Sequence, residues 1–465
     1  MNNLNPQTAH TNFYYLRSIT NSLLVILALQ LTVGCNKSNS LTNIHTAANN
    51  VNALQASTKP NIILILGDDV GYEVPTVNGG QSYTTPNLDK MAQDGMRFTQ
   101  VRSSPLCSPS RVSLLTGKYN FRNYTVWGVM DTTNRTIANM LQDQGYSTLV
   151  SGKWQLDGGD ASIKKFGFDD YMIYNPFAYD GEGKGSRYKD PSIYKDGAVI
   201  PRQQTAGLYG EDMFESYAET FIDQHLNTPF FIYYTQVLTH DPFSPTPLDP
   251  EFAGWDSKAG ISDPKFYPSM AKYMDIKIGQ IINKVKSAGL ANNTIIFYVG
   301  DNGTSTQITS RFMGQDYQGG KTQSTEAGTH VPMFALWPGK IAAGSINRDM
   351  INFTDFLPTI AGIANIPVPA NYGTLDGISF YPRLLGQAGT PRSWTFNHYQ
   401  PEVKGGASNT LKRWTQDTTY KQYDGGKFYN IILDPKELSP IKSAQMTAAE
   451  KKISKNFKAI MSTLK

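Results

Sequence analysis

The stretch NIILILGDD, residues 61–69, is the part of the chain that most clearly indicates its fold. Five consecutive apolar residues are followed at once by Gly67, Asp68 and Asp69. A continuous apolar run of this length is typical of a strand buried on both faces, as in a parallel sheet covered by helices. Adjacent strand residues point to opposite faces, so the chain must turn at Asp68 and Asp69, and Gly67 is expected to allow that turn.

Three further apolar runs have the same form and are also followed by polar residues. They occupy residues 147–150, 230–234 and 295–299. The helical patterns between them, at residues 211–226 and 270–290, place apolar side chains near helical spacing. Alternating strands and helices predict an α/β fold in which a large mixed, mostly parallel sheet is flanked by helices.

Sheets of this kind bind ligands at the carboxyl ends of their strands. The residues predicted to meet at this edge are Asp68, Asp69, Lys153, His240, Asp301 and Asn302. Aspartate and asparagine supply hard oxygen ligands, which suit Ca²⁺ better than zinc. A single aspartate at a strand end is more often a helix cap or turn residue, but two such pairs at equivalent strand ends favour a metal site.

The C-terminal part of the chain has a different pattern. From about residue 376 the apolar runs are shorter and turn residues are denser, as at residues 423–429. This predicts a small antiparallel sheet, followed by a terminal helix over residues 447–464. The expected division is a catalytic domain at residues 59–375 and a small C-terminal subdomain at residues 376–465.

The first 35 residues have the pattern of an export signal. Arg17 precedes an apolar stretch at residues 23–33 that is too short to span a bilayer. The stretch ends in LTVGC, which resembles a bacterial lipoprotein box in which Cys35 would be lipidated; the alternative is an ordinary signal peptide with an incidental cysteine. Residues 36–58, rich in Asn, Ser and Thr, predict a flexible tether. The protein is therefore expected in the periplasm or at the cell surface, with membrane contact only through its N-terminal lipid.

Charge and cysteine content exclude two other possibilities. The chain has 42 Lys and Arg against 38 Asp and Glu, a net charge of +4, and contains no basic run. This near balance argues against nucleic-acid binding. Of the two cysteines, Cys35 and Cys107, each has its own explanation, so no stabilising disulfide is expected.

The segment PLCSPSR, residues 105–111, is the sharpest motif in the chain. Pro109 suits the first turn of a helix and Gly117 its end. Cys107 would then lie at a helix N-terminus, where backbone N–H groups favour an anion, and Arg111 would follow one turn later. On the residues alone, a cysteine in this position is more often a buried structural thiol.

CSPSR followed by LLTG resembles the signature of type I, formylglycine-dependent sulfatases, which belong to the alkaline phosphatase-like superfamily. Other motifs resemble that family in the same order along the chain: GDDVGY at 67–72, TPNLD at 85–89, GKW at 152–154, DNG at 301–303, GK at 320–321, VP at 331–332, WPG at 337–339 and DPKE at 434–437. The resemblance covers roughly residues 58–440.

The resemblance implies that Cys107 is oxidised to formylglycine (3-oxoalanine) by a formylglycine-generating or anaerobic sulfatase-maturating enzyme. It also implies one Ca²⁺ ion, whose ligands would be Asp68, Asp69, Asp301, Asn302 and residue 107. In the family mechanism the hydrated aldehyde attacks sulfur, and its second hydroxyl later expels sulfate.

The same resemblance assigns the catalytic roles. Asp301 would accept the proton of the nucleophile, and Arg111, Lys153 and Lys321 would stabilise charge on the sulfuryl oxygens. His240 or Lys321 would protonate the leaving oxygen, so Lys153, His240 and Lys321 also bind substrate. Taken singly, Lys153 could be a solvated charge, Lys321 a flexible loop residue and His240 a structural hydrogen-bond partner.

Two positions depart from the family pattern. Gln155 occupies the place of the histidine in the usual Gly-Lys-Trp-His block, and glutamine cannot accept a proton at neutral pH. Gln155 is therefore predicted only to line the site. His330 stands where the family usually has arginine, and no role is assigned to it.

The sequence thus predicts a sulfuric ester hydrolase that removes sulfate from a sulfated carbohydrate. Two alternatives are a formylglycine-dependent phosphodiester or phosphonate ester hydrolase and a catalytically decayed glycan-binding surface protein. Tyr124, Trp127 and residues 174–194 could line a saccharide subsite or be ordinary packing. His398 could reach substrate from the small subdomain or be structural.

Overall fold

The computed structural model of the chain describes residues 59–156, 159–175, 185–402 and 410–464. The expected signal at residues 1–35, the tether at 36–58 and the lipidation of Cys35 lie outside these described residues. Within the described ranges, no helix has the length and apolar character needed to cross a membrane.

The elements follow one another along the chain as predicted, with further short strands between them. The strands are β1 Asn61–Gly67, β2 Met96–Phe98, β3 Val101–Arg102, β4 Ser147–Gly152, β5 Asp170–Tyr174, β6 Ile193–Lys195, β7 Ala198–Val199, β8 Phe230–Thr235, β9 Thr294–Gly300, β10 Thr309–Phe312, β11 Gln315–Gln318, β12 Met333–Leu336, β13 Ser345–Asn347, β14 Ile351–Asn352, β15 Thr395–Tyr399, β16 Lys412–Gln416, β17 Tyr420–Tyr423 and β18 Phe428–Asn430. The helices are α1 Pro86–Asp94, α2 Cys107–Thr116, α3 Asn120–Asn123, α4 Ile137–Gln142, α5 Gly159–Lys165, α6 Arg202–Thr205, α7 Gly210–Gln224, α8 Tyr267–Ser287, α9 Glu326–Thr329, α10 Phe356–Ala364, α11 Tyr381–Leu384 and α12 Ala448–Thr463.

A large mixed sheet forms the centre of the fold. Its strand order is β13-β2-β12-β9-β1-β8-β4-β5-β6-β7. The four strands predicted from the apolar runs are the parallel centre: β1 pairs with β8 and β9, and β4 pairs with β8. Antiparallel pairs occur towards both edges, between β9 and β12 on one side and between β5, β6 and β7 on the other. The predicted mostly parallel sheet is confirmed.

Helices cover both faces of this sheet because the central strands are apolar on both sides. Along β1, Leu64 packs into one hydrophobic cluster and Ile65 into another, and both are fully buried. The first cluster includes side chains from α2, α4 and α10, and the second includes side chains from α1, α7 and α8. The predicted helices at residues 211–226 and 270–290 correspond to α7 and α8.

Helix α2 begins at Cys107, as the sequence predicts. Gly117 ends it with a left-handed φ of 68°, and its backbone N–H donates to the carbonyl of Ser113. Glycine is favoured at this position because it has no Cβ to oppose a positive φ.

The predicted small antiparallel sheet is also present. Strands β15 to β18 pair in sequence order, and the turn-rich segment at residues 423–429 joins β17 to β18. Helix α12 follows, and Thr447 and Glu450 form a capping box at its start. Arg413 of β16 donates hydrogen bonds to the carbonyls of Met461 and Leu464, which fixes the end of α12 against the sheet.

Candidate active site

Two carboxylates and an amide meet where β1 and β9 end side by side. Gly67 pairs with Gly300 at the last position of the two strands, so the residues that follow them are neighbours. The backbone N–H of Asp69 donates to Asp301 Oδ1 at 3.0 Å, and Asn302 Nδ2 donates to Asp69 Oδ1 at 2.8 Å. The sequence prediction that these strand ends share one site is therefore matched by the geometry.

The turn that brings both aspartates to the site is made by Asp69 itself, whose φ is 59°. The expectation that Gly67 would allow this turn was wrong, because Gly67 continues the extended strand. A Cβ at Gly67 would lie 2.5 Å from the hydroxyl oxygen of Tyr298. Glycine is needed there for space, and Asp69 adopts the left-handed conformation that short polar side chains tolerate.

Each of the three carboxylates holds a buried cation. Lys153 Nζ lies 2.7 Å from both carboxylate oxygens of Asp68. Arg111 donates to Asp301 Oδ2 from Nε at 3.1 Å and from Nη2 at 2.8 Å. The third pair, Lys321 Nζ and Asp69 Oδ2, is 2.6 Å apart. Such charge-assisted pairs fix the direction of each side chain.

Burial and the neighbouring charges shift the pKa values of Asp68 and Asp301 in opposite directions. Burial alone would raise the pKa of Asp68, but Lys153, Arg111 and Arg187 together hold it below its usual value. Burial, and then the charge of Asp68, raise the pKa of Asp301 to about 6. The neighbouring carboxyl groups of Asp68 and Asp301 therefore do not readily carry a negative charge at the same time unless further positive charge is supplied.

His240 is hydrogen-bonded through both ring nitrogens. Its Nε2 lies 2.9 Å from Lys321 Nζ, and its Nδ1 lies 2.5 Å from the carbonyl oxygen of Asp241. The carbonyl can only accept, so Nδ1 carries the proton and Nε2 accepts from the lysine. Burial, followed by the charges of Arg187 and Lys321, holds the pKa of His240 well below its usual value. The ring is therefore neutral.

The donor set fits a divalent cation that prefers oxygen ligands. Asp68, Asp69 and His240 each offer a ligand atom within 4.8 Å of the others. Because both nitrogens of His240 are already hydrogen-bonded, the oxygens of Asp68 and Asp69 remain as the ligands of that group. Asn302 Oδ1 is buried and has no hydrogen-bond partner within the described part of the chain, as expected for an oxygen whose partner is an ion.

Cys107 lies at the first position of α2, and its side chain is 2% exposed. It packs with Leu106 against Tyr399 and Trp414, which belong to the small antiparallel sheet. Its thiol is close enough to Arg111 and Lys321 to interact electrostatically with both. The predicted nucleophile position therefore adjoins the cationic side of the site.

Lys321 lies on a tightly packed loop between β11 and α9. Its backbone N–H donates to the carbonyl of Thr304 at 2.9 Å, and a Cβ at Gly320 would lie 2.5 Å from the carbonyl carbon of Ala327. The small sheet holds the same loop, since Tyr423 Oη bonds Ser324 Oγ at 2.8 Å. The alternative that Lys321 is a flexible loop residue is not supported by this packing.

Gln155 lies two residues beyond Lys153 and is buried. Its φ is 53°, and its side-chain Oε1 has no hydrogen-bond partner among the residues that the structure describes. His330, to which the sequence assigned no role, stacks on Tyr72 with ring centroids 4.0 Å apart, and its Nε2 lies 3.0 Å from the carbonyl of Thr99. These contacts give His330 a structural role.

A cavity of about 460 Å³ lies between α3 and the segment after β15. Its lining residues include Phe121, Tyr124, His398, Gln400 and Glu402. Tyr124 also interacts electrostatically with Cys107, which places the cavity beside the nucleophile position. Trp127 packs against the cluster that contains Cys107. The aromatic residues singled out from the sequence thus lie next to the site.

One charged residue at the site was missed by the sequence reasoning. Arg187 Nη1 lies 3.7 Å from Asp68 Oδ2, and its side chain is 10% exposed. The residue lies within residues 174–194, which the sequence singled out only as a possible saccharide subsite or ordinary packing. It follows no predicted strand and belongs to no motif, so only the folded loop reveals its position.

Comparisons with known proteins agree on one family. The family model described as "Sulfatase" matches residues 60–366, and the model described as "N-sulphoglucosamine sulphohydrolase, C-terminal" matches residues 321–464. Arylsulfatase A of Bos taurus is 32% identical over 384 residues, which cover 76% of this chain and 73% of the relative. N-acetylgalactosamine-6-sulfatase of Mus musculus is 29% identical over 362 residues, covering 72% and 68%.

Solved structures extend the agreement to the fold. A protein determined in complex with its substrate D-glucosamine-2-N,6-O-disulfate is similar to this chain with a TM-score of 0.70. The match covers 87% of this chain and 98% of that protein at 21% sequence identity. Similarity at this level of identity concerns the fold alone.

Proposed function

The chain belongs to the sulfatase family and is a sulfuric ester hydrolase, and from this we propose that it removes sulfate from a sulfated carbohydrate through a formylglycine made from Cys107. The observation that carries the proposal is the position of Cys107. It begins α2 beside Arg111 and Lys321, where helix N–H groups and two cations favour an anionic group.

We propose Ca²⁺ as the metal, held by Asp68, Asp69, Asp301, Asn302 and residue 107. The support is the oxygen character of the side chains and the unpartnered Asn302 Oδ1. A divalent cation bound there would supply Lewis-acid stabilisation of charge on a sulfuryl oxygen. Formylglycine, once hydrated, supplies two hydroxyl groups, one to attack sulfur and one that permits release of sulfate.

Two lysines would bind the sulfuryl group, and Arg111 would orient the proposed base. Lys153 and Lys321 each have a donor left after their contacts with carboxylates, and these contacts hold the ammonium groups in fixed directions. Arg111 orients Asp301 through two hydrogen bonds, so that the carboxylate can accept the proton of the attacking hydroxyl. Preorganised charges of this kind stabilise the transition state without reorganisation during the reaction.

The proton for the leaving alcohol oxygen would come from the hydrogen-bonded pair of Lys321 and His240. In this arrangement Lys321 Nζ holds the proton between Asp69 Oδ2 and His240 Nε2. The lysine is therefore the donor, and His240 orients it. Gln155 would line the site beside Lys153.

The cavity beside Cys107 supports a carbohydrate substrate. Phe121 and Tyr124 offer aromatic faces, and Gln400 and Glu402 offer hydrogen-bond acceptors suited to sugar hydroxyls. His398 also lines this cavity and would reach the sugar from the small sheet.

The test is sulfate release by the chain coexpressed with a formylglycine-generating enzyme and supplied with Ca²⁺. The substrates are mixed sulfated glycans and an aryl sulfate, with an aryl phosphate in parallel. Cys107→Ala is the control variant, and peptide mass at position 107 confirms the aldehyde in the parent. Sulfate release by the parent and not by Cys107→Ala is expected.

Two results would contradict the proposal. Equal sulfate release by Cys107→Ala would exclude residue 107 as the nucleophile. Faster hydrolysis of the aryl phosphate than of every sulfate ester would favour the phosphoester hydrolase alternative.

A further inference from the structure

Arg187 is a buried cation at the site, and no carboxylate of the described residues lies at hydrogen-bond distance from it. Lys153, Arg111 and Lys321 each pair with a carboxylate at 2.6–2.8 Å, whereas Arg187 Nη1 is 3.7 Å from Asp68 Oδ2. Among the described residues, Arg187 Nη1 has no hydrogen-bond partner. A buried guanidinium donor without an acceptor is costly, and this cost is removed when a ligand supplies the acceptor.

The position of Arg187 is fixed by contacts on both sides. Its guanidinium carbon lies 5.0 Å from the ring centroid of Tyr174, so the group stacks on the aromatic face. The next residue, Tyr188, donates its hydroxyl to the carbonyls of Val237 and His240. The Arg187 loop is thereby tied to the segment that carries His240.

The charge balance indicates what this guanidinium binds. The three carboxylates at the strand ends are each paired with Lys153, Arg111 or Lys321. Arg187 interacts electrostatically with Asp68 and Asp241, but among the described residues neither carboxylate lies at hydrogen-bond distance from it. The sulfate ester to be cleaved carries a single negative charge, which would be bound by the remaining donors of Lys153 and Lys321. Arg187 also comes from a loop and not from the strand edge, and loops commonly set specificity on a conserved scaffold.

We propose that Arg187 is a specificity-determining residue that binds a second anionic group of the substrate, either a carboxylate or a second sulfate ester. This inference rests on the proposed function. It makes the preferred substrate a sugar with at least two anionic groups, of which one is cleaved and the other is held by the planar, two-donor face of the guanidinium.

The test compares three aryl probes that differ in one group: phenyl sulfate, 3-carboxyphenyl sulfate and 1,3-phenylene disulfate. Binding is measured by calorimetry in the Cys107→Ala protein, so that turnover does not interfere. Arg187→Gln removes the positive charge, and Arg187→Lys keeps the charge but not the planar, two-donor group. The control is Lys189→Gln, which removes a nearby charge; Lys189 Nζ donates to the carbonyls of Ala253 and Trp255. Thermal melting confirms that each variant is folded.

At least one dianionic probe should bind about 10- to 100-fold more tightly than phenyl sulfate, as expected for a charged hydrogen bond. Arg187→Gln should abolish this preference, Arg187→Lys should keep part of it, and Lys189→Gln should leave it unchanged. The probe that gains affinity identifies the second group as a carboxylate or a sulfate.

The inference is overturned if all three probes bind equally to the parent. It is also overturned if Arg187→Gln weakens phenyl sulfate as much as the dianions, since Arg187 would then bind the scissile group. Failure of the proposed function has a different signature, namely no sulfate release by the matured parent, and leaves this binding comparison intact.

Discussion

Three residues beside the site, Asp69, Gln155 and Thr322, have left-handed φ values of 59°, 53° and 73°. Each costs roughly 1 kcal/mol or more relative to an ordinary conformation, and such strain is concentrated at functional sites. Asp69 and Gln155 turn the chain just beyond β1 and β4, and Thr322 follows Lys321. The strain is therefore located where strand ends and loops present side chains to the substrate.

At the residue scale, Gln155→His is expected to raise kcat for sulfate release about 10-fold, because it adds a proton acceptor that glutamine lacks. Histidine also tolerates a positive φ better than most residues, so the variant should fold. The measurement is steady-state kinetics at neutral pH. Gln155→Asn, which suits the same backbone but accepts no proton, is the control and should not raise kcat.

An unchanged kcat in Gln155→His would show that position 155 takes no part in breaking the bond between the sulfate group and residue 107. Another group would then act as the base in that step.

The apolar pattern predicted the chemistry-bearing residues that follow long strands, whereas Cys107, Arg111 and Lys321 were predicted from the family resemblance. Asp68 and Asp301 were found because parallel strand ends must meet at one edge. Arg187, Tyr399 and Trp414 were not found, because a loop and a distant sheet bring them to the site. The spacing of residues along the chain does not indicate that these three side chains come together at the site.

At the element scale, the start of α7 is joined to the end of β8 by one buried carboxyl group. Glu211 accepts the backbone N–H of Val237 at 2.9 Å and the hydroxyl of Tyr234. Burial raises the pKa of Glu211 to about 7. Since this pKa lies above that of an unfolded glutamate, the folded state keeps a proton that the unfolded state loses.

The free energy of unfolding should therefore fall as the pH rises from about 4.5 to about 7. Glu211→Gln mimics the protonated group and should remove the part of this fall that Glu211 causes. Between pH 5 and pH 8 the variant should therefore lose less stability than the parent, by on the order of 3 kcal/mol. Urea unfolding at the two pH values measures the difference. Glu251→Gln, at an exposed position, is the control, and parallel pH curves for parent and Glu211→Gln would contradict the prediction.

The central strands were predictable because each is a continuous apolar run, while the edge strands were not. Strands β2, β6 and β7 have two or three residues each, too few for a pattern to emerge. Their pairing, antiparallel except between β2 and β13, depends on the crossovers, which the local sequence does not specify. The hairpin of β17 and β18 was predictable from its glycine-rich turn.

At the scale of the whole molecule, the small antiparallel sheet completes the active site. Gln416 Nε2 donates to Glu326 Oε1 at 2.8 Å, while Arg102 Nη2 pairs with Glu326 Oε2 at 2.7 Å. Lys421 bonds the carbonyl of Ser324 and pairs with Glu437. These contacts fix Ser324 and Glu326, which follow Lys321 in the chain.

Gln416→Leu should leave one buried oxygen of Glu326 and the indole N–H of Trp414 unpaired, each of which costs about 1–3 kcal/mol of stability. Displacement of the adjacent Lys321 loop should also lower kcat/KM about 10-fold. Thermal melting and sulfate release measure the two effects. Thr415→Val is the matched control, since the hydroxyl of Thr415 has no hydrogen-bond partner in the described ranges and its loss leaves no described group unpaired.

Unchanged kcat/KM in a folded Gln416→Leu protein would show that other contacts position the loop.

The burial of Cys107 under Tyr399 and Trp414 has a consequence for how the protein is made. An enzyme that oxidises the thiol can reach it only before β15 and β16 dock, because the side chain is 2% exposed afterwards. A ribosome adding about 5–20 residues per second reaches Trp414 roughly 15–60 s after Cys107. The proposed oxidation of Cys107 would therefore compete with completion of the chain, and slower synthesis of its last third is expected to increase the oxidised fraction.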